Sequence, residues 1–321
     1  MRAFSGTSLV VAATVALSAI TGCAGVGTLK AMRSFKEGNT AYQTADYKTA
    51  AAKYEETIAA APDEPRLVAA YFFLGNSYDQ LYKPSKKGDP ANDEYLQKAV
   101  KYYEIASQKL QPNDNPPRSL ALKYLASVYG SDKLDDPVKA EPVIISMIKA
   151  DPGDMDNYFA LANLYEQAGV DDEAEKIYLL AEKAKPNDPS VYLQLAGFYT
   201  RENQFDKAIE AYQARADKEP NNPEAYHMIG GAYWKETMNN GGLKDSVKLD
   251  HIQKGLEAED KALKLKPDYV DALTYKELLL RQEALVEKDP AKQQALISQA
   301  EALTKQANDV QKGAAAAKKT Q

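Results

Sequence analysis

The sequence predicts an all-α fold made of repeated helical hairpins, and three observations carry that prediction. Residues 155–188 and 189–222 align without a gap, so that Tyr158, Leu161, Ala162 and Tyr165 return thirty-four residues later as Tyr192, Leu195, Ala196 and Tyr199. Within each copy these positions fall at i, i+3, i+4 and i+7, one face of a helix, and the pair Ala174/Tyr178, repeated as Ala208/Tyr212, marks a second helix. Proline then closes each copy at Pro186 and Pro220, where the missing N–H and the clash with the preceding turn stop a helix.

The N-terminal segment has a different character. Met1 and Arg2 form a short basic start, and Leu9 to Ile20 is an apolar run. A membrane-spanning helix needs roughly 20 residues, so this shorter run fits the apolar core of a signal peptide. Directly behind it lies Ile20-Thr21-Gly22-Cys23, which contains the chain's one cysteine. This tetrad resembles the lipobox of bacterial lipoproteins. The resemblance implies cleavage after residue 22, diacylglycerol (with palmitate among the acyl chains) on the Cys23 thiol, and acylation of the new terminus. With Ala24 rather than Asp next, the proteobacterial sorting pattern implies the periplasmic face of the outer membrane. Residues 23–30 are expected to form a short tether.

The repeat then accounts for most of the chain. The same frame reads Tyr71, Leu74, Gly75 and Tyr78 upstream, then Leu122, Leu125, Ala126 and Tyr129, and downstream Tyr226, Ile229, Gly230 and Tyr233. A first copy carries Gly38, Tyr47, Ala50, Tyr54 and Pro62 at matching offsets. The small residue of each set lets the paired helix approach, and the large ones fill the space beside it. Boundaries fall at 31–64, 68–114, 119–154, 155–188, 189–222 and 223–269. A degenerate capping hairpin spans 270–310, and 311–321 is expected to be a disordered tail. Insertions read as loops lengthen two copies, at 81–93 and 238–250, because of their Gly and Pro content. Asp and Asn beside the prolines (Asp63, Asp154, Asp188, Asn222) suit turns and helix N-caps.

This pattern resembles the tetratricopeptide repeat, whose period is 34 residues, with Tyr at most of the family's aromatic positions. That substitution accounts for 21 Tyr against 7 Phe and 1 Trp. The resemblance implies a right-handed superhelical solenoid of about seven helix-turn-helix units with a concave face formed by the first helix of each unit. The expected groove residues are Phe35, Asn39, Tyr42, Phe72, Asn76, Lys123, Phe159, Asn163, Glu166, Arg201, His227 and Trp234. Aromatic area beside side-chain amides suits an extended peptide.

Composition excludes several alternatives. One cysteine leaves no disulfide framework and no multi-cysteine zinc site. A net charge of −6 is the wrong sign for phosphate-driven nucleic-acid binding. His227 and His251 lie twenty-four residues apart without a metal-binding spacing, and no phosphate-binding loop or nucleophile elbow occurs. The sequence therefore predicts no enzyme, cofactor or metal. It predicts a lipid-anchored scaffold of the bacterial cell envelope that binds protein partners in assembly or secretion. The alternative is an accessory ligand-binding lipoprotein of a solute transporter.

Overall fold

The computed structural model describes residues 10–319, with side chains described for residues 26–314. The cleavage and lipid-attachment expectations at residues 22 and 23 lie outside the described side chains. Among the described residues there are fourteen α-helices, two short 3₁₀ turns and no strand, so the fold is all-α. They divide into two compact units, residues 1–169 and 170–321.

In the first unit, α1 (Val10–Gln43), α2 (Tyr47–Ala60), α3 (Ala69–Leu81), α4 (Pro90–Lys109), α5 (Arg118–Tyr129), α6 (Pro137–Ala150) and α7 (Met155–Gln167) each pack on the next in sequence. The second unit does the same with α8 (Asp171–Ala184), α9 (Pro189–Arg201), α10 (Phe205–Lys218), α11 (Pro223–Asn239), α12 (Asp245–Leu265), α13 (Val270–Val286) and α14 (Pro290–Lys319).

Local chemistry sets the helix ends. Asp46, Asp89, Asp136, Asp154, Asp188 and Asn222 each cap a helix by accepting a backbone N–H of its first turn. Proline sits at the start of α4, α6, α9 and α11, where its missing N–H has no intrahelical partner to lose. Helices α2, α6, α8, α10 and α12 all end two residues before a proline (Pro62, Pro152, Pro186, Pro220, Pro267).

Four segments depart from the sequence expectation. The insertion at 238–250 is cut to a loop of residues 240–244 by longer helices, because α11 runs to Asn239 and α12 begins at Asp245. His251 accordingly lies inside α12 and not at its start. The insertion at 81–93 stays a loop only to Asp89, whose carboxylate caps α4, while Asn92 ties it by donating to the carbonyls of Lys83 and Lys86. Helix α1 already includes the residues expected to form a tether, and α14 continues to Lys319 through the expected tail.

Tyrosine joins one hairpin to the next. Tyr71, Tyr158, Tyr192 and Tyr226, at the start of a hairpin, donate their hydroxyls to the carbonyls of Pro62, Pro152, Pro186 and Pro220, at the end of the one before, at 2.8–3.3 Å. One helical turn or two further on, Tyr78, Tyr129, Tyr165 and Tyr199 donate to Glu55, Glu104, Glu141 and Glu175 of the preceding helix. Phenylalanine could supply the ring in these places and neither bond. Tyr192→Phe should therefore cost about 1 kcal/mol, the typical worth of one hydrogen bond. Tyr192→Ala should cost about 3–5 kcal/mol through the lost ring. Urea unfolding of the two variants checks both values, and a Phe variant as stable as the parent would remove the hydroxyl from this account.

Candidate functional site

The residues expected to line a groove fall into separate sets in the two units. In the first unit Asn39 and Asn76 bond tyrosines of the same chain. Asn76 is 1% exposed, accepts from the Tyr42 hydroxyl at 2.6 Å and donates to the Tyr103 hydroxyl at 3.0 Å. Asn39 accepts from Tyr54 at 2.8 Å. Buried and bonded at both ends, the Asn76 amide positions tyrosines of its own hairpin and of the preceding one, where the sequence expectation had it facing a peptide. Phe72 is also buried, packed on Phe73, Tyr103 and Tyr124.

What reaches the surface is the rim of this aromatic set. Phe35, Tyr42, Phe73 and Tyr124 are half-buried, linked through Tyr54, Phe72 and Tyr103 by ring contacts of 5.2–5.9 Å, and Lys123, next in sequence to Tyr124, is exposed. Burial pushes the Tyr42 phenol up to about 12, so it is neutral and a donor at any physiological pH. On α7, Asn163 is exposed while Phe159 and Glu166 are half-buried.

In the second unit, Arg201 is exposed at the end of α9, and α11 carries His227 and Trp234, both half-buried. The rings of His227 and Trp234 both meet Tyr275 edge-on, at 5.0 and 5.1 Å, and His227 also meets Tyr269 at 5.3 Å. Beneath His227 lies a residue that sequence reasoning missed. Glu259 on α12 is fully buried, and its carboxylate holds His227 Nδ1 at 3.1 and 3.2 Å.

The repeat frame explains how Glu259 comes to be there. In the first two hairpins the small residue of the first helix faces a buried ring of the second: Tyr54 lies against Gly38, and Tyr103 against Gly75. In the sixth hairpin Gly230 faces Glu259, so closely that a Cβ there would stand 2.3 Å from the Glu259 carboxylate. Gly255, Glu259 and Ala262 continue the pattern of Ala174, Tyr178 and Ala181. The longer connection displaced their phase and hid the match, which alignment of helix α12 by its small residues would have found.

Burial raises the Glu259 carboxyl to about 7, against the opposing pull of His227. Burial acts to lower His227, but the hydrogen bond and charge of Glu259, with Asp271 and Glu224 nearby, leave it raised. The pair is built to retain a proton. Among the described residues no group of three or more His, Cys, Asp or Glu side chains is arranged to hold a metal ion.

Residues 158–190 and 189–231 match models of the tetratricopeptide repeat. A tetratricopeptide-repeat protein from Cytophaga hutchinsonii has a similar fold, with a TM-score of 0.54 and 16% identity over 86% of this chain and 98% of that one. Looser likenesses include MamA from Desulfovibrio magneticus (TM-score 0.41, 14% identity, 61% of this chain and 96% of that one). Another is YrrB, described as a tetratricopeptide-repeat protein with an unusual peptide-binding site (TM-score 0.39, 18% identity, 68% and 95%). No curated protein matches the sequence.

The buried pair sets a pH dependence whose sign is fixed. Both groups bind their proton more tightly in the folded chain than in the unfolded one, so stability is fullest at mildly acid pH. It falls as the pH rises from about 4.5, the ordinary carboxyl value, through about 7 for Glu259. The second unit should be less stable at pH 8 than at pH 5.5 by on the order of 2 kcal/mol. Glu259→Gln should flatten that difference. The chain's single tryptophan, Trp234, lies in this unit, and its fluorescence in urea at the two pH values measures the effect.

Proposed function

We propose that the protein is a non-enzymatic, lipid-anchored adaptor that binds protein partners at the bacterial cell envelope. The observation that carries this reading is the aromatic rim of the first unit. Phe35, Tyr42, Phe73 and Tyr124 present half-buried rings, held in place by one another and by Asn76. Rings fixed before binding lose little freedom on contact, and tyrosine adds a hydroxyl that can bond a partner's backbone. Stacked helical hairpins of this repeat generally supply extended surfaces rather than reaction centres.

The anchoring part of the reading is supported by sequence. An apolar run too short to span a bilayer ends at Ile20-Thr21-Gly22-Cys23, and two or three acyl chains at Cys23 would hold the protein durably where one would not. Attachment raises the effective concentration of the adaptor for other membrane-bound proteins. Ala24 favours the periplasmic face of the outer membrane as the place of residence.

Two measurements test the proposal. Metabolic labelling with palmitate should mark the mature chain, and Cys23→Ser should abolish the label. A photo-reactive phenylalanine analogue at position 124, within the aromatic rim, should give discrete protein adducts in intact cells. The same analogue at position 149, exposed on α6, should not. Identical adduct patterns from the two positions would overturn the assignment of the binding face.

A further inference from the structure

One helix face is left unexplained by partner binding. Along α1, Val26 and Leu29 are both 69% exposed and Met32 is 39% exposed, which is unusual for aliphatic side chains so near one another. Lys30, Arg33 and Lys36 are exposed among them. At 100° per residue these six side chains occupy an arc of about 160°, and the buried Ala31, Ser34, Gly38 and Ala41 occupy the opposite side. The stretch from residue 26 to residue 36 holds three cations and no acid in a chain whose net charge is −6. Glu37, the nearest carboxylate, is already shared between Arg33 at 2.9 Å and Lys53 at 3.2 Å.

We infer that this face of α1 lies on an anionic phospholipid surface, with Val26, Leu29 and Met32 in the acyl boundary and Lys30, Arg33 and Lys36 among the headgroup phosphates. The proposal rests on the membrane-anchored reading above, because it takes the same bilayer as its partner. The mixture of side chains selects that occupant. A protein interface excludes charge from its centre, whereas a bilayer boundary takes aliphatic groups and cations side by side, since lysine and arginine extend their stems toward the phosphates. Position agrees with composition, as the face begins three residues after Cys23, where the acyl chains would enter the membrane. Contact at a second point restricts the swivel that a flexible lipid tether alone would leave.

The test uses the full chain reconstituted on vesicles, with Leu29→Cys as the reporter and Val138→Cys, 78% exposed on α6, as the control. In detergent both thiols should react with a membrane-impermeant maleimide at similar rates. On vesicles containing phosphatidylglycerol, Leu29→Cys should be protected about fivefold or more, the control should not, and pure phosphatidylcholine should protect less. Replacing Lys30 and Lys36, which are exposed, by Glu should abolish the protection without changing the melting temperature.

Equal labelling of positions 29 and 138 on anionic vesicles would overturn the proposal, as would equal protection on both lipid types. Failure of the anchor reads out separately. A chain without palmitate that leaves phosphatidylcholine vesicles on sedimentation contradicts the lipid attachment, while protection of position 29 on anionic vesicles would still stand for the helix face.

Discussion

A pair of helices of twelve to fourteen residues has too little area between them to enclose its own apolar stripe, so each hairpin depends on bonds across its boundary with the next. Here the bonding group is the tyrosine hydroxyl. The ring supplies buried area while the hydroxyl reaches a proline carbonyl or a glutamate of the neighbouring hairpin. Lysine adds a further contact on the same rings: Lys109 stands over Tyr71, Lys139 over Tyr129, Lys207 over Tyr199 and Lys218 over Tyr192, at 5.0–5.9 Å. Much of the charged and aromatic composition is therefore spent on joining repeats. A candidate site must be sought among residues that this joining leaves over.

That constraint decides which parts of the architecture could be read from sequence. Period, helix ends and the small-against-large pairing repeat, and repetition is visible in a single chain. Asp188 before Pro189 and Asn222 before Pro223 announce their helices by chemistry that acts within one turn. The extension of α11 to Asn239 and of α12 back to Asp245 was not legible. Asn239-Asn240-Gly241-Gly242 breaks a helix only locally, and tertiary packing carries the helices up to it on both sides.

The groove residues were legible as positions and not as roles. Asn39 and Asn76 stand at one point of the frame, and their recurrence looks the same whether an amide serves a ligand or a tyrosine. Distance decides between them: both amides lie within 3.0 Å of a tyrosine hydroxyl of the same chain. A buried amide held on both sides keeps the tyrosines in one geometry, because each lost bond would leave a polar atom unpaired away from water. Asn76 thus contributes to any partner surface indirectly, through Tyr42, whose ring remains half-buried at the rim.

Glu259 tests the same logic from the opposite direction. Placing a carboxylate where its counterparts place tyrosine is unfavourable unless it is paired, and the pairing comes from His227 at the corresponding helix face. Gly230 is what makes room for it, since any side chain at that position would collide with the carboxylate. The second unit can sustain this arrangement because α11 and α12 are longer there and α12, α13 and α14 share a core of Ile252, Leu256, Leu279, Leu280 and Ala300, against which Trp234 packs. Apolar burial near the pair offsets the desolvation of its charges, and the same burial holds the proton that the pair shares. A tyrosine in place of Glu259 would be insensitive to pH in this range, so the substitution makes the sixth hairpin the one whose internal packing responds to protons near neutrality.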